Sequence, residues 1–369
     1  MAQAATTADT GATATGVRKT AAGAASAVPS AEGAPAAEAE QATSSATKLT
    51  PAAALDTARL AQLHKALADS LRLQILRLLK NESFGVLELC RLVDIRQSAL
   101  SHHLKVLAKA DLVATRREGN SIFYRRSLIT EDALADCKRA AFDTIDALEI
   151  PASQAQQLQQ LQDERSELSL SFFKKNAAQF RENQGLIVER EKYDSSLIDV
   201  LEGLGLSKDA RVVEVGPGEG QLLVELAQRF ADVTAIDNSS DMLERSRTAV
   251  SAAGLNNVEF VLGEAASAYE ALAAKANLVV FDMVLHHIAT PAATFKDVAA
   301  LLDHNGLLLI VELCRHDQDW VRSSCGDLWL GFDEDELDEW AERCGLRFEQ
   351  SSNLALRNGF QIQMRLFRK

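Results

Sequence analysis

The chain has 369 residues, of which 47% are apolar and 25% charged, and a formal net charge of −13. That is ordinary globular composition with room for two or three domains, and no run approaches the roughly 18 apolar residues of a membrane span. The start lacks the basic stretch and apolar core of a signal peptide, and the five cysteines form no CxxC pair, so a reducing cytoplasm is expected.

The charge is unevenly divided. Residues 55–129 carry 13 Lys/Arg against 7 Asp/Glu, a surplus of six positive charges, whereas residues 185–369 carry 17 against 31. A basic segment beside an acidic one suggests nucleic-acid contact for the first.

Residues 1–51 are mostly Ala, Thr, Ser, Gly and Glu and cannot bury a core, so a disordered tail is expected. A first module follows over 52–150. Helical periodicity recurs at Leu60, Leu63 and Leu67, then at Leu71, Ile75, Leu78 and Leu79. Two short helices, Val86–Leu92 and Gln97–Leu107, are joined by Val93-Asp94-Ile95-Arg96, about the length of a helix-turn-helix turn. Leu100, Leu104 and Leu107 of the second helix face inward. Gln97, Ser98, Ser101, His102 and Lys105 face outward, short polar and basic residues suited to base edges and phosphates in a major groove. Two strand-like runs then flank Glu118-Gly119-Asn120, with arginine pairs at Arg116-Arg117 and Arg125-Arg126, a hairpin wing with basic flanks. His102 and His103, being adjacent, project from different sides of a helix and are not expected to share a zinc ion.

The stretches Leu67-Ala-Asp-Ser-Leu-Arg-Leu-Gln-Ile-Leu-Arg-Leu-Leu, Ser101-His-His-Leu-Lys-Val-Leu and Arg116-Arg-Glu-Gly-Asn-Ser-Ile-Phe-Tyr resemble the ArsR/SmtB family of winged-helix repressors over about 60–130. The resemblance implies a dimer on a palindromic operator, with Gln97, Ser98, Ser101, His102, Lys105, Arg116 and Arg117 on double-stranded DNA. The family's metal sensors carry Cys-x-Cys at the start of the first reading helix. Gly85-Val86-Leu87 stands there and Cys90 is alone, so no metal is expected.

A Gln-rich stretch, Ala152 to Gln162, opens a helical linker and lead-in over 151–184, with Phe172, Phe173 and Phe180 as apolar anchors. Strands and helices alternate from 211 onward, which argues for a parallel sheet covered on both faces. Strands are predicted at 211–215, 232–236, 258–262, 277–282 and 306–312, with an antiparallel pair at 346–351 and 359–367. The first strand ends in glycines at alternate positions, Gly216, Gly218 and Gly220, before a helix with Leu222, Leu223 and Leu226 on one side. Such a loop exposes bare backbone at the carboxyl end of a strand.

Further acids sharpen this. Asp237 ends the second strand about 20 residues on, where a carboxylate accepts ribose hydroxyls. Glu264 follows the third strand, within reach of an adenine amino group. Asp282 ends the fourth, opposite a bound nucleoside. Glu214 and Glu219 beside the loop repel a pyrophosphate and tolerate a cationic sulfonium with its ammonium group. The order Glu214, Gly216, Gly218, Gly220, Asp237 and Glu264 resembles class I S-adenosylmethionine-dependent methyltransferases over 185–369, with Asn238 and Met242 following the acid toward adenine. The resemblance implies a Rossmann-like α/β sheet of seven strands with an antiparallel last strand, and S-adenosyl-L-methionine or S-adenosylhomocysteine as ligand. The run Val284-Leu-His-His-Ile is similar to quinone-type small-molecule methyltransferases. The lead-in around Ser171-Phe-Phe is similar to that of fused ArsR–methyltransferase proteins. His286 and His287 are candidate general bases or packing residues, and sulfonium transfer can proceed on alignment and desolvation alone. No Asn-Pro-Pro-Tyr is present, so base amino methylation is not expected. The spacing of Cys314, Cys325 and Cys344 is not that of arsenite methyltransferases. Trp320, Trp329 and Phe332, near the acidic run 333–339, build either a substrate lid or a helix packed on the sheet edge. Two functions stand: a transcriptional regulator responding to the cofactor, and a small-molecule methyltransferase with an autoregulatory DNA module.

Overall fold

A computed structural model describes residues 56–176, 180–266 and 274–369. The tail expected over 1–51 and the side chain of Phe180 lie outside the described residues.

Residues 57–146 build a winged helix. Helices α1 (Thr57–Leu67) and α2 (Ser70–Leu78) each begin on an aspartate: Asp56 accepts the Arg59 amide at 2.6 Å and Asp69 that of Arg72 at 3.0 Å. Each satisfies a donor that has no partner within its helix. Helix α3 (Val86–Val93) ends on Asp94 in the left-handed region, φ 50°, and the chain reverses there into α4 (Gln97–Lys109). Strands β1 (Phe84–Gly85), β2 (Val113–Glu118) and β3 (Ser121–Arg126) form an antiparallel sheet in the order β1-β3-β2. The hairpin closes at Glu118↔Ser121, around Gly119 at φ 59°. Helix α5 (Ala135–Asp146) completes the module. Leu63, Ile75, Leu78, Leu79, Leu100, Leu104 and Leu107 are all buried in one core, as the periodicity requires.

The Gln-rich stretch opens a single 25-residue helix, α6 (Ala152–Asn176). Its first half closes the winged-helix core with Leu158 and Leu161. Helices α7 (Phe180–Ile187) and α8 (Asp194–Gly203) follow.

The remainder is a seven-stranded sheet with strands β4 (Arg211–Val215), β5 (Asp232–Asp237), β6 (Val258–Leu262), β7 (Ala276–Asp282), β8 (Leu302–Leu313), β9 (Arg347–Ala355) and β10 (Gln361–Arg368). The order is β6-β5-β4-β7-β8-β10-β9. The first five are parallel, and β10 runs antiparallel to both its neighbours. Alternate residues of β4, β7 and β8 enter two separate cores. Val212, Leu278, Val280 and Leu309 face one, and Val213, Val279, Phe281 and Ile310 the other. A strand covered on both faces reads as an unbroken apolar run, which is why these strands were visible in the sequence. Strand β8 starts four residues earlier than expected, because Leu302 pairs with Ala276 before the register shifts and Leu307 meets Leu278. Helices α9 (Gln221–Arg229), α10 (Ser240–Ala252), α11 (Pro291–Leu301), α12 (Trp320–Ser324) and α13 (Glu334–Arg343) accompany the sheet. Trp329 and Phe332 are buried in the core that also holds Leu337 and Ala341 of α13, so packing, not a lid, accounts for these two. No helix among the described residues is long and apolar enough to cross a membrane.

Candidate ligand cavity and nucleic-acid interface

The sheet order reverses at β4, whose neighbours β5 and β7 lie on opposite sides, and open α/β sheets hold ligands at such a switch point. A cavity of about 790 Å³ opens there. It gathers Glu214, Gly216, Gly218, Asp237, Asn238, Met242, Glu264 and Asp282, eight of the nine residues expected to hold a cofactor. Gly216 has φ 69°, and an added Cβ would stand 2.2 Å from Val284, so conformation and space both demand glycine. Gly220 is the correction. It does not line the cavity, and at φ 83° its backbone packs on α10, where a Cβ would meet the Ser246 Cα at 2.9 Å. It is needed for helix packing instead.

The cavity's charges are held in tension. Burial, together with the neighbouring carboxylates Asp282 and Asp237, pushes Glu214 up to about 8 against the pull of Arg190. Its Oε2 is buried without a hydrogen-bond partner among the described residues. Burial pushes Asp237 up to about 6, although it accepts the Ser239 amide at 2.8 Å. Asp282 accepts from Arg190 Nη1 at 2.8 Å and from the Tyr193 hydroxyl at 3.1 Å. Arg190 and Tyr193, both lining the cavity, were missed in the sequence. They lie ahead of the sheet in a short 3-10 turn after α7, and no motif marks them. Arg190 Nη2 is buried and has no hydrogen-bond partner among the described residues. A buried acceptor and a buried donor thus face one cavity, each lacking a partner, and buried polar groups are ordinarily paired.

The two histidines differ. His287 lines the cavity, stacked edge-on against Phe173 at 4.9 Å. His286 is fully buried and is not part of the lining, so its place as a candidate general base is corrected. Its Nδ1 lies 2.5 Å from Glu312 Oε1. Burial alone would lower His286, but Glu312 and Asp327 outweigh it and hold it at about 9. Burial pushes the thiols of Cys314 and Cys325 up to about 11 and about 12, leaving both protonated at neutral pH.

On the winged helix, Gln97, Ser98, Ser101, His102 and Lys105 are all exposed on α4. The wing does not follow. Arg117 is exposed, but Arg116 is 1% exposed and cannot reach a phosphate. Its guanidinium bonds Glu118, the Gly331 carbonyl and, at 2.7 Å, Glu336 of α13, and lies over the Phe332 ring. Arg126 is also internal, bound to the Leu76 carbonyl and to Asp146. The wing's inward face is docked on residues 319–336, and Glu118 takes the Leu330 amide at 2.7 Å.

Comparison with known proteins accords with both halves. Residues 69–115 match the family described as bacterial regulatory protein, arsR family, and residues 206–344 match a methyltransferase domain family. The transcriptional activator HlyU of Vibrio cholerae is 42% identical over 72 residues, which are 20% of this chain and 67% of that protein. The tRNA 5-carboxymethoxyuridine methyltransferase of Escherichia coli K12 is 30% identical over 113 residues, 30% of this chain and 43% of that protein. The chain thus spans less than half of this methyltransferase relative's length. Magnesium protoporphyrin IX methyltransferase of Synechocystis PCC 6803, solved with bound SAH, is 20% identical with a TM-score of 0.46, covering 56% of this chain and all of that one. A winged helix and a class I methyltransferase fold therefore share one chain. Through its winged helix the chain belongs to the arsR family of bacterial regulatory proteins.

Proposed function

We propose that this regulator binds S-adenosylmethionine or S-adenosylhomocysteine in the cavity at the glycine loop, and that occupancy changes its grip on operator DNA. The residues present fit the cofactor. Asp237 and Asn238 suit the ribose, and Met242 and Glu264 the adenine. Gly216 and Gly218 offer bare backbone. At the amino-acid end, the unpartnered Glu214 oxygen and Asp282 suit an ammonium, and the unpartnered Arg190 nitrogen suits a carboxylate. The surplus of carboxylate over guanidinium favours a cation and opposes a pyrophosphate. When bound, S-adenosylmethionine supplies a sulfonium methyl group.

A single helix carries the coupling argument. Arg165 of α6 binds Glu88 at 2.7 Å and the Ser83 carbonyl at 3.0 Å in the winged helix. Ser166, Ser169 and Phe173 of that helix line the cavity. A ligand that moves α6 moves the elements that seat the reading helix, and coupling of this kind is typically worth about 1–3 kcal/mol. In this reading the protein is a cytoplasmic homodimer on a palindromic site, with α4 in the major groove. The test selects an operator from random duplexes and measures affinity with and without each ligand. A change of about fivefold or more supports the reading, and identical affinities refute it.

A second reading, a methyltransferase acting on a small molecule, is favoured by the cavity's extension beyond the glycine loop to Phe173, His287, Thr290 and Thr294. Labelled S-adenosylmethionine with cell extract yields a methylated product in that case.

A further inference from the structure

At the cavity wall, where His287 lines it, lies a cluster of polar groups to which the proposed function assigns no chemistry. His286, His287 and Asp327 are all buried, and one ligand atom from each lies within 4.8 Å of the others. His286 Nε2 stands 3.9 Å from Asp327 Oδ1, and His287 Nδ1 stands 3.8 Å from the same oxygen. These separations are too long for hydrogen bonds. Among the described residues, His286 Nε2 and both oxygens of Asp327 have no hydrogen-bond partner, although Asp327 is only 2% exposed. A carboxylate buried with neither oxygen satisfied is strongly disfavoured, and the gap between these atoms would accept a cation.

We propose that His286, His287 and Asp327 bind a divalent cation of the zinc class. Two ligand atoms at about 2.0–2.2 Å from one ion stand roughly 3–4 Å apart, the spacing found at the two edges to Asp327. The longest edge, up to 4.8 Å, must close by roughly 0.8 Å or more for all three atoms to reach one ion. Imidazole and carboxylate together suit zinc and its neighbours, not calcium or magnesium, which take oxygen. The second shell is in place. Glu312 accepts from His286 Nδ1–H at 2.5 Å and from the His286 amide at 3.1 Å, which orients the ring so that an ion can take the place of the Nε2 proton. His287 ligates through Nδ1 by giving up the Gly326 carbonyl, now 3.3 Å away, while the Gln184 amide, 3.3 Å from its Nε2, presents its oxygen to Nε2–H.

Such an ion fastens the 326–332 segment to the end of β7. Leu328 and Trp329 already donate their amides to the His286 carbonyl at 3.0 and 3.1 Å. The same segment supplies the Gly331 carbonyl and Leu330 amide that hold the wing. The site therefore underpins the platform on which the wing docks.

The test uses the untagged full chain, stripped with chelator and dialysed. Zinc chloride is titrated by calorimetry, bound zinc is counted by mass spectrometry, and cobalt(II) is added in parallel for its visible absorption. One zinc per chain is expected. Asp327→Asn should weaken binding at least 100-fold and abolish the cobalt band. Glu312→Gln, which leaves every ligand in place, should weaken it about 10–100-fold. Should Asp327→Asn fail to fold, the wild-type titration and Glu312→Gln decide the matter. Absence of stoichiometric zinc in the wild type, or uptake unchanged by whichever variants fold, overturns the proposal.

Discussion

The reading helix and the wing carry the same kinds of residue and present them oppositely. On α4, Gln97, Ser98, Ser101, His102 and Lys105 stand in solvent. On the hairpin, Arg116 and Arg126 are buried among carboxylates and carbonyls, and Arg117 alone of the three is exposed. The difference lies in what each element packs against. Helix α4 uses only Leu100, Leu104 and Leu107 to enter the core, so its other faces stay free. The hairpin is flanked by a second partner, the segment leading into α13, and that partner brings Glu336. A basic residue in a DNA-binding motif is therefore not by itself a phosphate contact.

The strongest way to break this comparison is Arg116→Ala. If Arg116 is an internal cation, its loss leaves Glu336 and Glu118 buried with only the more distant Arg125 at 3.7 Å and Arg322 at 3.9 Å, at a cost of up to about 3–5 kcal/mol. Urea denaturation should show that loss. A variant that unfolds at the same urea concentration as the wild type would return Arg116 to the surface.

A buried charge with partners and one without mean different things, and Glu214 is the counterpart to Arg116. At pH 7 a carboxyl held at about 8 is protonated. A cationic ligand favours the ionised form, so binding should expel its proton. Affinity for S-adenosylmethionine should then rise between pH 6 and 7.5, by up to about tenfold per unit, because each step toward about 8 removes a proton the ligand must otherwise displace. Calorimetry at pH 7 in two buffers of different ionisation enthalpy should report a release approaching one proton. No release would mean that Glu214 does not meet the cation.

The same contrast explains what was legible in the sequence. The winged helix and the first five strands were, because apolar spacing is local and both-face burial leaves continuous runs. The glycine loop and its acids were, because each sits at a strand end. Arg116 misled because its partner Glu336 is 220 residues away. Arg190 was silent because a 3-10 turn with no periodicity carries it to the cavity. Asp327 was silent because it joins His286 across the end of the sheet, at no ligand spacing.

Lys105→Ala tests the exposed side of the comparison. Lys105 has no role in the core, so stability should stay within about 0.5 kcal/mol. The dependence of duplex affinity on salt should lose about one unit of slope if Lys105 neutralises one phosphate. An unaltered slope would place α4 away from the backbone.

The smallest expected effect belongs to Arg117. Its side chain is exposed, and its Nε turns back to the Gly119 carbonyl at 3.1 Å. The hairpin tip is confined, since Gly119 lies against Asp319 so closely that a Cβ would overlap the carboxylate. A wing that stays docked keeps Arg117 from following the DNA backbone, and Arg117→Ala should change the salt slope by well under one unit. In a Glu336→Gln background, measured where the variant remains folded, the latch is weakened and the same substitution should remove about one unit. The interaction between the two substitutions then reports release of the wing directly. If Arg117→Ala already removes a full unit in the wild type, the wing reaches DNA while docked.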